Sequence, residues 1–141
     1  MQTETDKPAF LADLLAALGE PTRLRIMNLL HTQPLCVCDL QGALGLSEPL
    51  VSRHLARLRF AHLVSATRDG NRMIYRLTRA DSPARIVLER FLTDIRRKEP
   101  CLQRDLERFR ELLRRGRCSR SARPRVQKHS SAQEQAKEMS R

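Results

Sequence analysis

Residues 46–77 read LSEPLVSRHLARLRFAHLVSATRDGNRMIYRL, and this stretch decides the fold. Ser47 is a preferred N-cap residue, and Pro49 suits a first helical turn because its missing N–H has no partner there. The spacing predicts a helix from about residue 48 to residue 60, since residues three and four apart share one side of a helix. Its inward side would carry Val51, Leu55 and Leu58. Serine and arginine side chains fall mostly elsewhere on the helix, where they can meet a partner.

The periodicity then changes from helical to strand-like. Residues 63–68 and 72–77 contain β-branched and aromatic side chains, and Asp69-Gly70-Asn71 between them is typical of a hairpin turn. A hairpin that directly follows such a helix is a wing, whose tip can contact DNA phosphates or the minor groove. Residues 47–79 carry seven arginines and two acidic residues, so the positive charge lies where DNA would lie.

Apolar residues at helical spacing predict three further helices before this stretch. The first covers residues 10–18, the second begins at Pro21 and breaks at Gln33-Pro34, and the third runs from Leu35 to Leu44. The third helix and the helix after residue 47 are joined by a tight turn, which matches a helix-turn-helix. The predicted fold class is therefore mainly α with a β-hairpin wing, a winged helix-turn-helix.

Two apolar stripes follow the wing, over residues 86–95 and residues 102–113. They exceed what a small winged domain can cover, so we expect a homodimer that forms through the N-terminal and C-terminal helices. Such a dimer would set two recognition helices one DNA turn apart. In the alternative, these stripes fold back onto the chain's own core.

The charge of the chain is unevenly distributed. Of its 27 lysines and arginines, nine lie in residues 114–141 with only two glutamates, and the formal net charge of the whole chain is +11. The tail has almost no large apolar residue, so it cannot bury enough surface to order itself. We predict a DNA-binding and dimerisation domain over residues 1–98, a helical extension over 99–118 and a basic disordered tail over 119–141.

Composition also limits the function. The basic charge favours nucleic acid as a partner, with an anionic membrane surface second. The chain lacks a signal-peptide core and an apolar run near the ~18 residues of a membrane span, which predicts a cytoplasmic protein. No glycine-rich phosphate loop or acid/base cluster indicates an enzyme. In a reducing cytosol, four cysteines are expected to be thiols, metal ligands or redox switches rather than structural disulfides.

Cys36-Val37-Cys38 lies in the first turn of the predicted third helix. Thiolates select soft ions, and a helix N-terminus stabilises a thiolate. On a regular helix, residues i and i+2 lie about 200° apart and cannot share one small ion. Binding through both sulfurs should therefore hold this turn extended or unwind it, and so misplace Ser52 and Arg53 on the recognition helix.

Several motifs together resemble the ArsR/SmtB family of winged-helix metal-sensing repressors. They are LGEPTRLRI at 18–26, LCVCDL at 35–40, LS at 46–47 with VSRHL at 51–55, and the Asp69-Gly70 turn followed by YRL at 75–77. The resemblance covers about residues 8–98, and LCVCDL is similar to the arsenite-sensing branch. It implies a homodimer that represses a metalloid-resistance operon and leaves its operator when As(III) or Sb(III) binds.

This chain departs from the pattern of that branch at one position. The best-known arsenite sensors have a third cysteine three residues beyond the pair, where this chain has Gln41. Two thiolates with solvent or a small thiol could suffice, or Cys101 or Cys118 of either protomer could supply a third sulfur. Cys101 is preferred because its segment is the better ordered, and a separate Cys101 and Cys118 site is a further alternative.

The predicted functional residues form two groups. The metal-binding candidates are Cys36, Cys38, Cys101 and Cys118. The DNA-binding candidates are Ser47, Glu48, Leu50, Ser52, Arg53, His54, Arg57, Arg68, Asn71 and Arg72. The alternative function is a thiol-based redox-sensing repressor, in which oxidation to a disulfide drives release of the DNA.

Overall fold

The structure is a computed structural model that describes residues 9–78 and 83–116. Its six helices are α1 (Ala9–Leu18), α2 (Pro21–Leu30), α3 (Val37–Leu44), α4 (Glu48–Phe60), α5 (Pro83–Lys98) and α6 (Pro100–Arg114). Its three strands are β1 (Leu35–Cys36), β2 (Val64–Asp69) and β3 (Arg72–Leu77). This order gives a helix-turn-helix, α3 and α4, followed by a hairpin wing, which confirms the predicted fold class.

The core lies among α2, α3 and α4. Ile26, Leu40 and Leu55 are fully buried there, one from each helix. The other two residues predicted to face inward from α4, Val51 and Leu58, are also inaccessible to solvent. The apolar side of α4 therefore fixes the recognition helix against the core, which leaves its opposite side free for a ligand.

The wing forms as predicted. Strands β2 and β3 pair antiparallel from Val64↔Leu77 to Asp69↔Arg72, so the connecting turn consists of Gly70 and Asn71. Gly70 has φ +62, a left-handed conformation that glycine adopts without a steric penalty. The register places the wing tip beyond the last pair, where Asn71 and Arg72 are exposed.

A third strand was not predicted. Leu35 pairs with Tyr75 and Cys36 with Ile74, so β1 extends the wing to a sheet of order β1-β3-β2. The prediction that a helix begins at Leu35 was therefore wrong, because this residue is extended and α3 starts at Val37. Two residues are too short to show strand alternation, and their partner strand is about 40 residues away in sequence.

The last helix folds back onto the DNA-binding part of the chain. Leu102, Leu106 and Phe109 of α6 are buried against α2 and α3. For α6, the fold-back alternative is thus the correct one. Helices α1 and α5 instead keep large apolar side chains in solvent, namely Leu11, Leu15, Ile86, Val87 and Phe91.

Polar groups hold α5 and α6 to α2. Asn28 is fully buried; its Nδ2 donates to the Leu102 carbonyl at 3.2 Å, and its Oδ1 accepts from Arg96 Nε at 2.7 Å. Arg25 donates to both carboxylate oxygens of Asp105 at 2.9 Å. The hydrogen bond that Arg25 donates to Asp105 raises the pKa of Arg25, whereas burial lowers the pKa of Arg96. This network fixes α6 in one position on the domain.

Two sequence predictions lie outside the described residues. They are the disordered tail over 119–141 and the candidate ligand Cys118. Within the described ranges, none of the helices combines the length and the apolarity needed to cross a membrane.

Candidate functional site: a thiol cavity beside the recognition helix

A cavity of about 460 Å³ opens where α3 begins, between the recognition helix and the wing. It is lined by Cys36, Val37, Cys38, Glu48, Ser52, Asn71, Arg72, Met73 and Tyr75. The thiol pair, the start of α4 and the base and tip of the wing therefore border one space. A ligand bound by the thiols would touch the parts of the fold that are predicted to read DNA.

The two cysteines differ in conformation and in exposure. Cys36 is the N-cap of α3, with extended backbone angles of φ −88 and ψ 170, and is 3% exposed. Cys38 lies in the first turn of α3 and is exposed. Because Cys36 stands outside the helix, the 200° separation of a regular helix does not apply to the pair. Both cysteines can border the same cavity while α3 stays wound.

A buried carboxylate fixes the cap of α3. Asp39 is 1% exposed, and its Oδ2 accepts a hydrogen bond from the backbone N–H of Cys36 at 3.2 Å as part of a capping box. The same backbone of Cys36 pairs with Ile74 of the wing. Cys36 is thus the point at which α3, the wing and the cavity join.

The sulfur atoms present suit a soft, thiophilic ion, but they supply only part of a trigonal site. Across residues 9–78 and 83–116, no cluster of three or more cysteine, histidine or acidic side chains could hold a metal. Two thiols border the cavity, and none of the described cysteines is in a disulfide. The described residues therefore offer a dithiol, and a third donor must come from solvent or from elsewhere.

The other predicted metal ligands are not in this cavity. Cys101 lies in the first turn of α6 and is half-buried, close enough to Arg25 to contribute to its raised pKa. The structure does not bring Cys101 together with Cys36 and Cys38 in one protomer. Cys118 belongs to the residues that the structure does not describe.

Predicted DNA-binding residues surround the cavity mouth. Glu48, Ser52, Asn71 and Arg72 line it. Three further arginines are exposed on α4 and the wing, namely Arg53, Arg57 and Arg68. These side chains lie on α4 and on the wing, the two elements that a winged helix-turn-helix is expected to place against a DNA groove and its backbone.

Three predicted DNA-binding residues have different surroundings. Ser47 is the N-cap of α4, but its side chain makes no capping hydrogen bond to the helix as described, contrary to expectation. Leu50 is half-buried. His54 Nδ1 lies 3.6 Å from Glu20 and its side chain is only 13% exposed, so part of its surface faces the start of α2 rather than solvent.

Sequence reasoning missed the lining that the wing contributes. Met73 and Tyr75 border the thiol cavity because β1 pairs with β3 beside the cysteines. Hairpin residues alone gave no indication of this contact. The dipeptide Leu35-Cys36 is too short to show strand alternation, so the local sequence carried no signal for this contact.

Comparison with known proteins agrees with this geometry. The family model described as bacterial regulatory protein, arsR family, matches residues 20–66, which contain α2, α3, α4 and the thiol pair. An arsenical resistance operon repressor of Staphylococcus aureus is 37% identical over 70 residues, which are 50% of this chain and 67% of that protein. The chain belongs to the arsR family. Members of this family are DNA-binding transcriptional regulators, not enzymes.

Other proteins that resemble this arsR-family member have names that do not mention arsenic. A transcriptional repressor SmtB homolog of Synechocystis is 43% identical over 72 residues, 51% of this chain and 54% of that protein. The chain thus spans about half the length of that curated relative. A homodimeric winged helix-turn-helix DNA-binding domain from Mycobacterium bovis is 28% identical with a TM-score of 0.54, and the match covers 67% of this chain and 91% of that domain.

Proposed function

We propose that this arsR-family member is a metalloid-responsive transcriptional repressor. It binds operator DNA as a homodimer and is released when As(III) or Sb(III) binds the thiolates of Cys36 and Cys38. The observation that carries the proposal is the shared cavity, which two thiols and the predicted DNA-binding residues Glu48, Ser52 and Arg72 line together. The S. aureus relative, named as an arsenical resistance operon repressor, supports the choice of inducer.

Release follows from the position of Cys36. An ion that draws the sulfurs of Cys36 and Cys38 together acts on the N-cap of α3 and on the β1–β3 pairing at the same time. Helix α3 packs against α4, so movement of α3 changes the angle at which Arg53 enters a groove. Movement of β3 displaces the wing tip. The inducer would therefore disturb both DNA contacts from one site.

Dimerisation is supported by an apolar groove between α1 and α5. Its volume is about 710 Å³, and almost all of its lining is apolar: Leu11, Leu14, Leu15, Leu18, Gly19, Leu24, Val87, Leu88 and Phe91. Exposed apolar area of this kind marks a protein interface. The M. bovis domain of similar fold is named as homodimeric. A second copy of the chain is the partner that we propose for this groove.

We further propose that the chain consists of the three functional segments that the sequence predicted. Residues 1–98 would bind DNA and dimerise, residues 99–118 would form a helical extension, and 119–141 would be a basic tail. Helix α6 fits the second role, because it packs on α2 and α3 and leaves the α1–α5 groove open.

One titration tests the proposed function. The DNA site that the protein selects from a randomised pool is loaded with wild type or with single Cys→Ser variants at 36, 38, 101 and 118. Arsenite and antimonite are then added while fluorescence anisotropy reports bound DNA. We expect wild type to release DNA, and Cys36→Ser and Cys38→Ser to bind DNA normally without release.

Two results would contradict the proposal. A wild-type complex that resists stoichiometric arsenite and antimonite would exclude metalloid induction. Release by peroxide, reversed by dithiothreitol and absent with metalloids, would instead establish the redox-sensing alternative. A single variant that still responds removes that one thiol from the site.

A further inference from the structure

Two exposed arginines of α6, Arg104 and Arg108, carry positive charge that no acidic side chain of the described residues offsets by an ion pair. They are four residues apart, so they lie within about 40° of each other around the helix and ~6 Å apart along it. At the end of the helix the situation differs, because Arg114 and Arg115 both pair with Glu111. The unpaired charge of this side of α6 is therefore concentrated on the first two arginines.

The guanidinium of Arg108 lies at the turn between α3 and α4. A Cβ added to Gly45, the C-cap of α3, would lie 3.2 Å from one of its nitrogens. Gly45 precedes Ser47, the N-cap of the recognition helix, by two residues. A Cβ added to Gly42 would lie 2.9 Å from Leu112 Cδ1, so α6 runs along α3 in the opposite chain direction. Helix α6 thus borders the helix-turn-helix along its first helix and at its turn.

A buried network holds Arg108 beside this turn. Asp105, three residues before Arg108, accepts hydrogen bonds on both carboxylate oxygens from Arg25 at 2.9 Å. Arg25 also donates to the carbonyl of Leu44 at 3.3 Å, and Leu44 directly precedes Gly45. One arginine therefore ties α6 to the end of α3, so the exposed row of α6 keeps a fixed position relative to the recognition helix.

The position of this turn determines what the row can contact. In a helix-turn-helix, the first helix crosses the DNA backbone and the N-terminal part of the second helix enters the major groove. The turn between α3 and α4 is then expected beside phosphates at the edge of that groove. Arginine binds phosphate through charge-assisted hydrogen bonds that are often bidentate. The row on α6 is complementary in charge to these phosphates and adjoins the elements that are predicted to bind DNA.

We propose that α6 is an additional DNA-binding element, in which Arg108 and Arg104 bind backbone phosphates beside the bases that α4 reads. This inference rests on the proposed function, because it requires DNA on the helix-turn-helix. Contacts to phosphates fix the position of a protein on the duplex but carry no sequence information. The helical extension therefore adds affinity and holds α4 in register, while the choice of bases stays with α4.

The salt dependence of DNA binding tests this role with a matched control. Full-length Arg108→Gln and Arg110→Gln each remove one exposed arginine from α6, but residues 108 and 110 lie ~200° apart around the helix. Affinity for the selected DNA site is measured at several salt concentrations without metalloid. For Arg108→Gln, the slope of log affinity against log salt should fall by ~1 per bound protomer. Arg110→Gln and Arg108→Lys should keep the wild-type slope.

The second arginine of the row should act in the same way. The combined Arg104→Gln and Arg108→Gln variant should lose a slope of ~2 per bound protomer, because each side chain neutralises one phosphate. Circular dichroism spectra like that of wild type are expected for all of these variants, since the substituted side chains are exposed. A double variant whose slope equals that of Arg108→Gln would remove Arg104 from the proposed contact.

Neutral phosphates in the DNA locate the contact directly. Methylphosphonate replaces one phosphate at a time in the selected site, and affinity is measured for wild type, Arg108→Gln and Arg110→Gln. We expect a position at which the replacement weakens wild type and Arg110→Gln several-fold. The same replacement should have no further effect on Arg108→Gln, because the partner of that phosphate is already gone.

The outcomes separate this inference from the proposed function. Equal salt slopes for Arg108→Gln and Arg110→Gln, or a methylphosphonate profile that Arg108→Gln shares with wild type, would overturn the α6 contact alone. A wild type that keeps its DNA in the presence of arsenite and antimonite would overturn metalloid induction and leave the α6 contact standing. A wild type that selects no DNA site would overturn both.

Discussion

Asp105 is a buried acidic residue with Arg25 as its basic partner. Its side chain is 4% exposed, and both of its oxygens accept hydrogen bonds from Arg25, whose side chain is 23% exposed. The Arg25 guanidinium also donates to the Leu44 carbonyl at the end of α3. One arginine thus connects α2, α3 and α6.

Arg25→Met should destabilise the fold by about 3 kcal/mol, because it leaves a buried carboxylate without its partner. Urea unfolding followed by circular dichroism measures the loss. Arg104→Met on the exposed side of α6 is the matched control and should stay within about 0.5 kcal/mol of wild type. Equal unfolding midpoints for Arg25→Met and wild type would mean that the Asp105 carboxylate becomes hydrated when Arg25 is removed.

At the residue scale, the sequence predicted the burial of apolar side chains better than the burial of polar ones. Val51, Leu55 and Leu58 are buried as their helical spacing indicated. Asn28 and Asp105 are equally buried, but nothing in their local sequence predicts it. Their partners are Leu102, Arg96 and Arg25, up to about 80 residues away. These polar groups can be buried because each has a hydrogen-bond partner that is distant in sequence. Local hydrophobic periodicity does not identify that partner.

The recognition helix and the wing should contribute to DNA binding in different ways. Arg53→Ala should weaken binding to the selected site by ~1–3 kcal/mol and leave binding to random DNA little changed, since it would remove a contact to a base edge. Gel-shift titrations on the selected and a scrambled sequence measure both affinities. Equal losses on the two sequences would assign Arg53 to the phosphate backbone instead.

Arg72→Ala on the wing should weaken binding to every sequence. Its expected contact is a phosphate, so the slope of log affinity against log salt should fall by ~1. The measurement is the same titration at several salt concentrations. An unchanged salt slope with altered sequence preference would place Arg72 on a base rather than on the backbone.

The pairing of β1 with β3 would give the proposed inducer a direct route to the wing. Cys36 pairs with Ile74, so arsenite bound to the thiols should loosen this pairing and raise amide hydrogen exchange in residues 72–77. Exchange followed by mass spectrometry, with and without arsenite, tests the effect. The Cys36→Ser variant is the control and should show no change. Unaltered exchange in this strand would leave α3 as the sole route to the DNA.

At the element scale, long periodic segments were predictable and the short strand was not. The helix bounds of α4 match the sequence prediction, and the wing strands begin and end within about one residue of it. Strand β1 consists of two residues, and its extended conformation comes from pairing with β3 rather than from its own pattern. That pairing also made Met73 and Tyr75 part of the thiol cavity, which the sequence did not indicate.

The α1–α5 groove should decide the oligomeric state of the whole molecule. Leu15 is 64% exposed in this groove, and Leu15→Arg should give a monomer because a buried guanidinium would face a second apolar surface. Sedimentation equilibrium measures the mass. Leu113→Arg on α6, where the leucine is 40% exposed outside the groove, is the control and should remain dimeric.

The monomer should also bind its DNA site ~100-fold more weakly, since two linked half-site contacts gain affinity of about that order. The affinity is read from the same gel-shift titration. A Leu15→Arg variant that remains dimeric with full affinity would place the interface elsewhere. At this scale, the sequence predicted excess apolar surface, but it could not decide which of the two C-terminal stripes the chain itself covers.

The cavity shared by the thiols and the predicted DNA-binding residues would also limit how the proposed repressor can respond. If metalloid and DNA oppose each other through this space, as proposed, each must weaken the binding of the other by the same factor. A protomer bound to a high-affinity operator should then bind the metalloid more weakly than a protomer free in solution. Promoters with weaker sites should open at lower inducer concentrations, so a single repressor could switch several genes on in a graded order.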